Sequence, residues 1–61
     1  MEQITFRSCN GIQRERIKAC ILMLDAVAYY VSVATLKEVV LLVFGVDIGR
    51  DTVTKILRGE L

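Results

Sequence analysis

Sixty-one residues, 54% of them apolar, with a net charge of +1 make one small domain with more apolar surface than so short a chain can hide from water unaided. The same richness in Ile, Leu and Val excludes disorder, and two cysteines exclude a disulfide scaffold. With no His and seven scattered carboxylates, acid–base catalysis and a zinc site are both disfavoured.

The expectation is therefore a protein that is not an enzyme and has no metal, cofactor or small-molecule substrate. The N-terminus lacks the basic-then-apolar order of a secretory signal, so Cys9 and Cys20 read as reduced thiols in a cytoplasmic protein, with Cys20 in the core.

Met1 to Cys9 reads as a short extended arm, because Ile4 and Phe6 alternate with Gln3, Thr5 and Arg7. Asn10 is a good N-cap with Gln13 at capping-box spacing, which predicts a helix over 11–31. The polar residues Arg14, Lys18, Asp25, Tyr29 and Ser32 share one narrow stripe, and nearly all else after Lys18 is apolar. A helix apolar around most of its girth is a buried one. The rest of this chain can cover one side only, so a dimer core is expected, with Ile17, Ile21, Leu24, Ala28 and Val31 on one seam and Cys20, Met23, Val27 and Tyr30 on the next. A membrane span is the weaker alternative. Asp25 at its centre would cost about 2.5 to 3.5 kcal/mol on insertion.

Ser32 to Ala34 reads as a connection. Thr35 and Glu38 form a T-x-x-E capping box, which predicts a helix over 36–44 with Leu36, Val39, Val40, Val43 and Phe44 inward and Gly45 as its C-terminal cap. Val46 to Gly49 is expected as a turn. A third helix is predicted over 50–58, stopped by Gly59, with Val53, Ile56 and Leu57 on one face and Arg50, Asp51, Thr54, Lys55 and Arg58 on the other.

The stretch Thr35 to Gly59, TLKEVVLLVFGVDIGRDTVTKILRG, resembles the helix-turn-helix of small bacterial and phage transcription regulators. The resemblance implies an all-α, three-helix domain in which a bracing helix (36–44) supports a recognition helix (50–58) that enters the major groove of double-stranded DNA. It also implies that Arg50, Asp51, Thr54, Lys55 and Arg58 face DNA, that Val53 and Ile56 pack inward, and that Thr35 and Lys37 touch phosphate. Two positions depart from the pattern. Val53 lies eight residues after Gly45 rather than six, so Asp47-Ile48 reads as an insertion, and Leu41 stands where a small Ala is usual. From Thr35 to Leu61 four cations balance four carboxylates, whereas DNA binders usually show a basic face. A dimer would compensate by presenting two recognition helices about one DNA turn apart, roughly 34 Å.

Two other readings remain open on the residues. A ribbon-helix-helix protein would read DNA with an N-terminal strand carrying Gln3, Thr5 and Arg7. A small dimeric interaction module or inhibitor, of the kind encoded as phage or plasmid accessory proteins, would not bind DNA at all. The main expectation is a homodimeric helix-turn-helix regulator of transcription.

Overall fold

Asn10 opens the first long helix by the mechanism its spacing predicts, its side-chain oxygen accepting from the Gln13 backbone N–H at 2.8 Å. The computed structural model describes residues 4–28 and 30–61. It comprises β1 (Ile4–Thr5), a 3-10 turn (Phe6–Ser8), α1 (Gly11–Val27), α2 (Val33–Phe44), β2 (Val46–Asp47) and α3 (Arg50–Leu57). The expected roles of Gln3 and Tyr29 lie outside the described residues. The body is helical, as expected of an all-α domain, with one short strand pair added to it.

α1 is four residues shorter than its apolar run. No glycine or proline stops it at Val27. The stop is tertiary, because Ala28 turns extended and the next residues carry Val31 and Val33 onto the core. α2 then starts earlier than the T-x-x-E box suggests. Ser32, not Thr35, is its cap, the Ser32 hydroxyl oxygen accepting from the Thr35 N–H at 3.1 Å. Ser32 is the better cap here because its backbone is extended and Val33 and Ala34 after it form the first turn. At the other end Gly45 takes φ +68°, the left-handed cap that its position calls for. Leu36 and Val40 are fully buried, while Val43, expected inward, is at the surface because the last turn of α2 packs Phe44, half-buried, on the core instead.

The segment expected as a plain turn is a strand. Val46 and Asp47 pair in parallel with Ile4 and Thr5, in the register Ile4 to Val46 and Thr5 to Asp47. Val46 and Ile48 are buried on either side of exposed Asp47, the period-two pattern of a half-covered strand. The apparent insertion Asp47-Ile48 thus has two uses, pairing the arm and supplying Ile48 to the core. Among the described residues of the arm, Ile4 and Thr5 are strand. Ile4 is exposed, and Phe6 turns into the 3-10 segment and packs half-buried on the core.

One core forms inside one chain: Cys9, Ile17, Ile21, Leu36, Val40, Val46, Ile48, Val53 and Ile56. That corrects the first expected dimer seam. Ile17 and Ile21 are completely buried against their own α2 and α3, and Leu24, Ala28 and Val31 are half-buried beside them. Of the second seam, Met23 is 64% exposed, Val27 74% and Tyr30 90%, while Cys20, expected in the core, is half-buried. No helix is long and apolar enough to cross a membrane among the described residues.

Candidate nucleic-acid interface

α3 is a short amphipathic helix whose two faces are sharply divided. Val53 and Ile56 are buried and Leu57 half-buried, which turns Asp51, Lys55 and Arg58 outward. Thr54, expected to face a groove, is half-buried, and its hydroxyl donates to the Arg50 carbonyl at 3.0 Å, one turn back. That bond occupies Thr54 within the helix. Thr52, not singled out by the sequence pattern, lies on the flank instead.

Two grooves run beside α3. One is lined by Ala34, Lys37, Glu38, Leu41, Asp47 and Arg50, so α2, β2 and the start of α3 bring two cations and two carboxylates to one groove. Leu41 is half-buried in this groove, where it occupies the α2–α3 junction as a wall. Thr35 is not part of it. Its hydroxyl is engaged with Ser32 at 3.0 Å.

The second groove brings together parts of the chain that are distant in sequence: Phe6 and Arg7 of the arm, Arg14 of α1, Thr52 and Lys55 of α3, and Leu61. Arg14 is held there by its Nε–H, which donates to the Cys9 carbonyl at 2.9 Å. Cys9 in turn is fixed by burial and by a thiol contact to the Thr5 carbonyl at 3.4 Å. The β1–β2 pair anchors the start of the arm, so Arg7 is delivered to the flank of α3 by backbone pairing. Asp51 and Glu60 are the nearby carboxylates of α3 and its C-terminal end, and Asp47 and Glu38 belong to the first groove.

The charge distribution therefore differs from the linear count. Six of the eight Lys and Arg residues, Arg7, Arg14, Lys37, Arg50, Lys55 and Arg58, lie on α3 or in the grooves that border it. Against four carboxylates they leave an excess of positive charge that the stretch from Thr35 to Leu61 alone lacks. Arg14 and Thr52 belong to none of the expected interfaces, and Arg7 is expected to face DNA only in the ribbon-helix-helix reading. No local motif marks the two arginines, because only the fold brings the arm and the first turn of α1 beside α3.

No family model, curated protein or solved structure matches the chain. The chemistry of this surface therefore rests on its own residues. Among the described residues no group of His, Cys, Asp and Glu is arranged to hold a metal ion.

Proposed function

We propose that the chain is a double-stranded DNA-binding protein of the helix-turn-helix kind, acting as a small regulator of transcription, with α3 laid in the major groove. The observation that carries this reading is the convergence of Arg7 and Arg14 on Lys55 and Thr52, which gives a helix with a polar outer face a cationic border. Arg50, Asp51, Lys55 and Arg58 are the base-side residues. Arg7, Arg14 and Lys37 are placed for phosphate, contacts that set register on a duplex without reading sequence. Thr54 has no direct role in this version, since its hydroxyl serves the helix.

The ribbon-helix-helix alternative loses its support from the same geometry. β1 pairs in parallel with β2 of its own chain, whereas a two-chain ribbon needs an antiparallel strand free to meet its copy.

Titration of labelled random duplex at two salt concentrations tests the proposal. Affinity should fall steeply with salt, and Arg7→Ala should flatten the slope of log affinity against log salt by about 0.9, the loss of one phosphate contact. Arg50→Ala combined with Lys55→Ala should abolish binding while leaving helicity unchanged. Absence of duplex binding even at low salt would sink the reading.

A further inference from the structure

The outer face of α1 repeats apolar residues with the period of a helix seam although none of the described residues covers it. Ile12, Ala19 and Ala26 are one heptad apart, and Leu22 and Met23 fill the intervening turn. All five are exposed, Ile12 to 69%. Glu15 is the only carboxylate on this stripe among the described residues, and it leans sideways to Lys18, with Nζ to Oε1 at 3.4 Å. A solvated helix face normally carries the polar residues; here the apolar residues take the most outward positions.

We propose that this face is the contact between two copies of the chain, with their α1 helices packed antiparallel about a two-fold axis at Ala19. Area is the first argument. The chain exposes 4583 Å², whereas a folded monomer of its mass exposes about 4,000 Å². The surplus, roughly 600 Å² per copy, is shared between this face and the exposed Val27, Tyr30, Leu42 and Val43, and is of the size of one side of the smallest specific interfaces, about 1,200 Å² in total.

Self-complementarity is the second argument. With the axis at Ala19, Ile12 of one copy lies over Ala26 of the other, Leu22 along the alkyl stem of Arg16, and Met23 beside the stem of Glu15. Large residues then meet small ones or aliphatic stems, and alanine at the crossing lets the axes approach to about 8 Å, the short end of helix packing distances. A parallel pair would instead set Glu15 against Glu15 and Arg16 against Arg16. Antiparallel packing also opposes the two helix dipoles favourably.

The contact does not depend on the DNA reading, since its test is mass and cross-linking rather than duplex binding. In sedimentation over a micromolar concentration series the wild-type chain should pass from 6.9 kDa to twice that mass. Ala19→Glu, which sets two carboxylates against each other at the axis, should weaken association at least about tenfold with helicity unchanged. Leu42→Glu, at an exposed site on α2, should leave the mass unchanged. A second measurement does not rely on a disrupted variant: in a Cys20→Ser background, Ala19→Cys should be joined to its copy by a short bismaleimide.

Ile12→Cys should not be joined, since an antiparallel pair sets its two copies about 21 Å apart along the axis. A wild-type chain that stays monomeric throughout, an Ala19→Glu variant that still dimerises, or failure of Ala19→Cys to cross-link overturns the proposal. Cross-linking through Ile12→Cys overturns the antiparallel arrangement. Binding of the monomer to lipid vesicles or to another protein in place of self-association overturns it in favour of that occupant.

Discussion

α1 and α3 each send a pair of branched side chains into the core, Ile17 and Ile21 from one and Val53 and Ile56 from the other, yet their outer faces differ in character. α3 turns Asp51, Lys55 and Arg58 to solvent, whereas α1 turns out Ile12, Ala19, Met23 and Ala26. The difference sets what each face can meet. A polar outer face is stable in water and free to exchange water for phosphate and base edges, whereas an apolar one gains only when another apolar surface covers it. A chain with one face of each kind has surfaces suited to two partners of different chemistry.

The inner faces allow the strongest test of this comparison. Ile17→Ala and Ile56→Ala should each cost about 2 to 5 kcal/mol, a large part of the roughly 3 to 9 kcal/mol available to a domain of this size. Urea denaturation measures both. A loss under about 1 kcal/mol for Ile17→Ala alone would show that this side of α1 is not core, and the contrast between its faces would disappear.

The helix starts differ by less. α1 has a side-chain cap and α3 has none, since Gly49 opens α3 with an ordinary extended backbone. Asn10→Ala should lower stability by about 1 kcal/mol. Gly49→Ser should raise it by a few tenths, about 1 to 3 °C in Tm, by supplying the missing acceptor. A Cβ at Gly49 meets only the Thr52 hydroxyl, at an ordinary 3.8 Å, so the added side chain fits. A Gly49→Ser variant that melts lower would mean that α3 needs its bare start.

The outer faces should contribute least to the stability of the single chain. Met23→Ala and Lys55→Ala should each change it by less than about 0.5 kcal/mol. The two should then part company: the first should lessen the dependence of Tm on protein concentration, and the second should weaken duplex binding and leave that dependence intact. Identical behaviour of the two variants in both measurements would remove the distinction.

The same contrast explains what was legible in the sequence. α3 was readable almost to the residue because its apolar and polar positions separate at helical spacing. α1 was readable as a helix, but its facing was not, since a stretch apolar all round gives no sign of which side the chain keeps for itself. The expected seams accordingly mix Ile17 and Ile21, which the chain keeps for its own core, with Met23, which it leaves exposed. Local chemistry found Asn10 and Gly45 and overlooked Ser32 because the later T-x-x-E pattern looked complete. The alternation of Val46, Asp47 and Ile48 was a strand signal too short to stand out beside a glycine on each side. The cationic border of α3 could not be seen at all, because sequence distance hides Arg7 and Arg14 from Lys55.

The pairing of Ile4 with Val46 also sets an order of events during folding. The strand made first has no partner until the chain is three-quarters complete, and closing a loop of roughly 40 residues carries an entropic term of about 3 kcal/mol. Two backbone pairs do not offset that alone, so the helices must dock before the arm can join them. The arm is then the last segment to arrive and the first to leave, and Arg7 departs with it. A protease that clips the first residues of the isolated chain should therefore act well before the core opens, and duplex DNA that holds Arg7 in place should slow that cleavage.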